Sequence, residues 1–438
     1  MGGIENSTKA KSPFHRSEYG VLWVLWITYG SFYFCRTNIS AAIPGIEAEF
    51  GFTKAQIGLI LGGLKLAYGF GQLVNGQLAE KISARKLLAV GMLVSAGLNV
   101  AFGMGAALYF LIFIWACNGY FQALGWTPCM RVAANWFPVE KRGRAVGIIG
   151  TGYQATAAFT FVLAGFSAQW FGWRGALYVP AVLFALCCVH MLIFLKETPE
   201  EASETEEGQT PVAKPEKTGS IGRNFLVTLT NPWLWFLAVS LGLLNACRYG
   251  FLDWGLSHMI ETQGGAIGKS ALKYAVLPLG GIAGAFLSGW VTDRWFGGRA
   301  APVIVILLLA LAGLTLLYSK AVVPGGGMVI PMILLVLIGF CIYGPQVLLV
   351  GTAPMDFARG GTAAAAVGFV NFMGYMGAFS GDYVTGHVVD SHGWEVGLRF
   401  WAGCAFAAAI ISAFLWNRSG GEKPSKKNES NLYRGRTR

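Results

Sequence analysis

Charge is scarce in this chain: Asp, Glu, Lys and Arg make up only 13% of its 438 residues, where a soluble domain carries about 25%. Hydrophobic residues make up 54%, and mean hydropathy is +0.53. Together these rule out an ordinary soluble enzyme or binding module. Histidine is scarcer still. The five (His15, His190, His258, His387 and His392) are scattered, with no metal pair at helical spacing. The eight cysteines (Cys35, Cys117, Cys129, Cys187, Cys188, Cys247, Cys341 and Cys404) all lie in apolar runs, without the spacing of a metal site or an extracellular disulfide framework. They read as small packing residues. The glycine clusters Gly62-Gly63 and Gly325-Gly326-Gly327 lack the Lys-Ser/Thr of a phosphate loop. There is no nucleophile elbow and no acid pair in a polar setting. The expectation is a chain with no cofactor, no metal and no enzymatic activity. Acidic residues are also in deficit, giving a net charge of +11. The basic residues sit between apolar runs and in the tails, so they read as topology signals and headgroup contacts, with no nucleic-acid partner.

What is abundant is the long apolar run. Twelve lie near 20–44, 55–78, 87–106, 108–134, 146–168, 175–195, 232–260, 271–292, 301–319, 328–352, 362–388 and 397–416, each long enough to cross a bilayer as a helix. The 60 glycines fit close helix packing in a membrane. The first run is too long for a secretory signal and lacks a small-residue cleavage site, so no removable signal peptide is expected. Between the sixth and seventh runs, Lys196 to Arg223 is rich in Glu, Thr, Pro and Lys and cannot bury a core. The predicted organisation is an N-terminal tail 1–19, a six-helix half 20–195, a linker 196–231, a second half 232–417 and a basic tail 418–438. Basic loops follow the second, fourth, eighth and tenth runs, which predicts cytoplasmic termini and linker.

Two charges stand out inside the runs. Arg36, in Tyr33-Phe34-Cys35-Arg36-Thr37-Asn38, falls near mid-membrane, where an arginine costs at least roughly 2.5–3.5 kcal/mol unless it faces a polar cavity or a partner. Its flat fork of donors suits a phosphate or carboxylate. Arg248, in Asn245-Ala246-Cys247-Arg248-Tyr249-Gly250, occupies the matching depth in the second half. Glu80 follows Arg36 at nearly the interval by which Asp293 follows Arg248. Two halves in register put both arginines at a pseudo-twofold interface, where transporters of this architecture bind substrate.

Further motifs narrow the reading: Gly76-x-x-x-Glu80-Lys81-x-Ser83-x-Arg85-Lys86, Asn118-Gly119-x-Phe121-Gln122-x-x-Gly125-Trp126-x-Pro128, Asn135-Trp136-Phe137, Lys141-Arg142-Gly143, Arg248-Tyr249-Gly250-x-Leu252-Asp253-Trp254 and Tyr343-Gly344-Pro345. In this order, from about Tyr19 to Asn417, they resemble the organophosphate:inorganic phosphate antiporter family of the major facilitator superfamily, which includes glycerol-3-phosphate and hexose-phosphate transporters. The resemblance implies an all-α, twelve-helix fold of two pseudo-symmetric six-helix halves. It implies a rocker switch that exchanges an organophosphate (sugar phosphate, glycerol phosphate or a phosphonate-like anion) for inorganic phosphate, with Arg36 and Arg248 gripping the phosphoryl group. A monomer in a bacterial inner membrane is expected.

Departures from that pattern concern the surroundings of the clamp. Thr37 stands where glycerol-phosphate transporters commonly have Lys, Gln72 where some members have Lys, Tyr153 (beside Gln154) where a His is found, and Pro278 where a Glu is found. Lys65 lies two turns before Gln72. Substrate-contacting candidates are therefore Tyr33, Lys65, Tyr153, Gln154, Tyr343, Tyr375 and Asp382 beside the two arginines, with Tyr29 and Tyr68 as further cavity tyrosines. Asp382 has two functional readings: a contact to a cationic or hydroxylated part of the substrate, or a partner for Lys65. The first suggests a substrate less anionic than a sugar phosphate. Asp253 reads as a gate or structural pair, and Glu80, Arg85, Asp293 and Arg294 as conformational latches. Two other functions share these residues, an organophosphate-sensing receptor and a proton-coupled symporter of another organic anion.

Overall fold

The computed structural model describes residues 14–199, 226–358 and 362–417. Most of the expected N-terminal tail and linker, and all of the tail after Asn417, lie outside these residues. In a bilayer a chain must satisfy its own backbone polar groups, and an apolar run does so by forming a helix. The runs accordingly form α1 (Arg16–Ser31), α2 (Ile39–Phe50), α3 (Lys54–Lys81), α4 (Ala84–Met104), α5 (Leu108–Gln122), α6 (Trp126–Trp136), α7 (Val139–Phe171) and α8 (Gly175–Phe194). The second half supplies α9 (Pro232–Tyr249), α10 (Gly255–Gln263), α11 (Ile267–Tyr274), α12 (Val276–Phe296), α13 (Ala300–Ala321), α14 (Val329–Val350), α15 (Thr352–Phe357), α16 (Ala363–His392) and α17 (Trp394–Ala413). With end-to-end helices joined, eleven spans are long and apolar enough to cross a membrane. The pair α1–α2 supplies the remaining crossing.

The first run, expected as one helix, is broken where it carries its arginine. A 3-10 turn, Phe32–Cys35, ends α1, and the chain turns through 36–38 before α2 begins. Such a break frees backbone carbonyls that lipid cannot satisfy. Here Cys35 O accepts from Asn118 Nδ2 at 2.8 Å and Asn99 Nδ2 at 3.4 Å, from α5 and α4. The seventh run breaks at the matching place: a π-helical turn, Gly250–Trp254, follows Arg248, and Tyr274 Oη donates to Phe251 O at 2.6 Å. Irregular turns of this kind gather at functional sites.

The halves meet along two seams, α3 against α16 and α7 against α11 and α12. Small residues make both possible. A Cβ on Gly386 would lie 2.1 Å from Lys54 O, one on Gly58 2.6 Å from Asp382 O, and one on Gly165 2.3 Å from Ala271 Cβ. At the end of the bundle where α3 begins, the Asp390 carboxylate accepts from the N–H groups of Lys54 (3.0 Å) and Ala55 (2.8 Å), capping α3 from the opposite half. Lys54 Nζ bridges Glu47 of its own half (3.2 Å) and Glu261 of the other (2.6 Å). Overpacking a close contact costs about 1–3 kcal/mol, so Gly386→Ala prises α3 from α16. The expected result is a longer distance between spin labels at Thr53 and Ser391, both exposed at this end. An unchanged distance distribution would contradict the packing.

Candidate substrate site

Arg36 is 6% exposed and Arg248 2%, and each lies between two tyrosine rings. The Arg36 guanidinium sits 4.8 Å from the Tyr33 ring and 4.5 Å from that of Tyr68. The Arg248 guanidinium sits 4.7 Å from Tyr249 and 5.2 Å from Tyr343. A cation over a ring face is attracted by the ring quadrupole, more strongly where water is excluded. The tyrosines also touch one another across the halves. Tyr33 stacks on Tyr153 at 5.0 Å, and Tyr153 meets Tyr343 at 6.0 Å. On the other side Tyr68 meets Tyr375 at 4.5 Å, and Tyr375 meets Tyr249 at 6.4 Å. Arg36, Tyr33, Tyr153, Tyr343, Arg248, Tyr249, Tyr375 and Tyr68 therefore close into one ring around the pseudo-twofold interface.

The ring bounds a cavity of about 310 Å³. Among the described residues, Arg248 is the one charged residue in its lining, which carries no carboxylate and includes Tyr33, Tyr68, Tyr153, Tyr375 and Gln154. Arg36 and Tyr343 sit directly behind that surface in the ring. Lys65 and Asp382 lie elsewhere: Lys65 Nζ is 2.7 Å from Asp382 Oδ2 and also bonds the Asp253 carboxylate, all three buried. Of the two functional readings of Asp382, the geometry is that of the Lys65 partner. Tyr249, adjacent to Arg248, belongs to a motif of the sequence but is not among the expected site residues. Its aromatic neighbours come from distant helices, so local pattern carried no signal for it.

The two arginines are held differently. Arg36 Nε donates to Gln122 Oε1 at 3.1 Å, and Gln122 Nε2 donates to Ser95 Oγ at 2.7 Å. Ser95 in turn donates to Asn118, which holds Cys35 O. One buried chain of hydrogen bonds thus fixes both the break in the first span and the arginine it carries. Among the described residues Arg248 has no such chain of amides: its Nε is without a hydrogen-bond partner, and Tyr343 is a polar side chain beside its guanidinium. Hydrogen bonds to charged groups are worth about 1.5–3 kcal/mol. On the expectation that Arg36 grips a phosphoryl group, Gln122→Leu weakens phosphate binding about tenfold or more while the protein still folds, read by titration of thermal stability against phosphate. Unchanged affinity would mean that Gln122 does not position Arg36.

Of the four expected latch residues, the side chain of Glu80 lies outside the described residues. Arg85 is engaged within its own half: its N–H donates to Glu197 Oε1 at 3.0 Å and its guanidinium to Leu192 O. Glu197 also accepts from Ser83 Oγ and Ala84 N, capping α4. Burial raises the Glu197 carboxyl, but the Ser83 hydroxyl and these N–H groups outweigh it and hold it below its ordinary range. Asp293 and Arg294 are exposed and make no ion pair among the described residues. The cavity reaches toward this end through Val146, Gly147, Val350 and Gly351, while the opposite end is shut by the two seams.

Comparison with known proteins agrees with this architecture. The Major Facilitator Superfamily profile matches residues 25–381. The probable hexose phosphate transport protein of Chlamydia pneumoniae is 29% identical, over 94% of each chain. The glycerol-3-phosphate transporter of Bacillus subtilis is 29% identical, over 94% of this chain and 95% of its own. The membrane sensor protein UhpC of Escherichia coli is 26% identical over 90% of each. In fold, the inward-facing, occupied crystal structure of a bacterial homologue of the human lysosomal transporter Spinster superposes with a TM-score of 0.73 at 16% identity, covering 93% of this chain and 98% of that one. By its sequence profile the chain belongs to the Major Facilitator Superfamily, and its relatives named for hexose phosphate and glycerol-3-phosphate are transporters and not enzymes.

Proposed function

We propose that this chain is a secondary transporter that exchanges an organophosphate for inorganic phosphate by alternating access. The observation that carries the reading is the ring of six tyrosines and two arginines, spanning both halves and bounding a cavity without a carboxylate. Two buried cations with no counter-ion repel each other, and a phosphoryl dianion between them offsets that repulsion and draws the halves together. An empty carrier that reorients poorly makes exchange obligatory. The relatives named for hexose phosphate and glycerol-3-phosphate support the substrate class.

The organic part of the substrate is read by amides. Gln154 Nε2, Asn245 Oδ1 and Gln346 Oε1 belong to lining residues and have no hydrogen-bond partner in the protein. Buried amides in that condition call for hydroxyl groups on the ligand. With Asp382 occupied by Lys65, no carboxylate in the lining favours an ammonium, so the tail is hydroxylated and uncharged.

The basic loops support cytoplasmic termini in a bacterial inner membrane, with halves 20–195 and 232–417 and the site within one monomer. In that orientation the cavity opens to the cytoplasm. Proteoliposomes loaded with phosphate test the proposal. External labelled phosphate enters by exchange, sugar phosphates and glycerol phosphate compete, and an uncoupler leaves the rate unchanged. Binding without exchange would instead favour the sensor, and collapse under the uncoupler would favour a proton-coupled symporter.

A further inference from the structure

Three buried ionisable side chains have no part in the exchange just described. Lys65 comes from α3 in the first half; Asp253, from the π turn, and Asp382, from α16, belong to the second. Their side chains are 0–4% exposed. One ammonium neutralises one carboxylate, so with all three ionised the cluster carries an uncompensated negative charge where burial penalises it. The nearest further cations are Arg248 of α9, on the far side of the Tyr249 ring, and Arg36, beyond Tyr68; among the described residues neither makes an ion pair with the two carboxylates. Tyr249 of α9 lies with its ring 4.9 Å from Lys65 Nζ, and Tyr68 of α3 packs on Arg36. Tyr274 of α11 commits its hydroxyl to Phe251 O. His258 of α10 packs on Tyr318 and Trp394, α17 presents Trp401 bonded to Thr385, and α5 contains no charged residue. Lys54, Glu47 and Glu261 lie toward the rim, Lys54 eleven residues before Lys65 on α3, or about 16 Å along the helix. Besides Lys65, the Asp382 carboxylate faces the indole N–H of Trp254 from the π turn. The seam beside it is too tight for a hydrated metal ion, since even a Cβ on Gly58 would meet Asp382 O at 2.6 Å.

We propose that Asp382, sharing one ammonium with a second carboxylate, holds a proton when the Lys54–Asp390 end of the protein is closed, and that this proton locks the two halves together. Opening the end carries Lys65 away with the first half and admits water, which solvates the Asp382 carboxylate in its ionised form. The closed arrangement then binds one more proton than the open one. Linkage fixes the sign: acid favours closure and alkali favours opening, by up to about tenfold in the population ratio per pH unit. Neither carboxylate lines the cavity that faces the other end. The proton is therefore taken up from, and returned to, the same side of the membrane. It gates the carrier without being transported.

This inference rests on alternating access, but its main test needs no substrate. Spin labels at Thr53 and Ser391, on a background lacking the native cysteines, report the separation of the halves in the purified full-length chain. Between pH 5.5 and 8.5 the long-distance population is expected to grow as pH rises. Asp382→Asn keeps a neutral Lys65–Asp253 pair and should hold the short distance throughout, while Asp382→Glu keeps the response. A wild-type distribution that ignores pH, or an Asp382→Asn variant that follows it fully, would overturn the proposal. In proteoliposomes, pH on the side of the closing end should alter exchange while a proton ionophore does not. Exchange that an ionophore abolishes would overturn the same-side return of the proton, and absence of phosphate exchange would count against the function while leaving the distance result intact.

Discussion

Arg36→Lys and Arg248→Lys are each expected to reduce phosphate exchange by about a hundredfold or more, with folded protein still recovered. Lysine keeps the charge but replaces a planar fork by a point charge on a flexible stem. It cannot present two parallel donors to phosphate oxygens. At Arg36 it also forfeits the geometry that joins Nε to Gln122 Oε1. Losing one partner of a buried charged contact costs roughly 2–5 kcal/mol, and about 3 kcal/mol corresponds to a hundredfold in affinity. The effect at Arg36 should be the larger, because Gln122 and Ser95 are arranged around a guanidinium, whereas Arg248 Nε has no such anchor. Exchange at the wild-type rate in either variant would remove that arginine from the site.

The second large effect is on stability. Lys65→Met leaves Asp253 and Asp382 facing each other in a buried seam, with the ammonium that both contact removed. Breaking a buried ion pair from one side typically costs about 3–5 kcal/mol, more than the intact pair contributes, because the remaining charge stays buried and uncompensated. Thermal unfolding in detergent should fall well below wild type, with a poor yield of folded protein. Adding Asp253→Asn and Asp382→Asn to Lys65→Met removes the orphaned charges and should restore most of the loss. A Lys65→Met protein as stable as wild type would show that the three groups are not a coupled cluster. A triple variant no better than the single one would place the loss in packing instead of charge.

Several of these features were legible in the sequence. The apolar runs fall where the spans lie, because a bilayer gives a run of about twenty apolar residues few alternatives to a helix. Arg36 and Arg248 stood out because a charge at that depth is costly enough to need a reason. The pairing of Lys65 with Asp382 was one of three readings open for that acid, beside a substrate contact and a structural hydrogen bond near a membrane end, and Asp253 was read as a gate or structural pair. The break in the first span was not legible: Phe32–Cys35 has no proline or glycine, and the groups that stabilise it, Asn99 and Asn118, come from two other helices. The rim cap was equally hidden, since Asp390 lies 336 positions from the N–H it accepts at Lys54. Tyr249 joins Arg248 to Tyr375, and Tyr375 comes from α16, distant in sequence. Contacts between halves depend on how two bundles meet, and residue spacing along one helix does not encode that.

The central claim is that one phosphate is held between two arginines from opposite halves. Equilibrium binding of labelled phosphate to the purified chain tests it most directly, with stoichiometry and displacement measured together. The account predicts one phosphate per chain, fully displaced by a sugar phosphate or glycerol phosphate in simple competition, with affinity lost in both Arg36→Lys and Arg248→Lys. Two independent phosphates per chain, or binding that survives the loss of either arginine, would contradict a shared clamp.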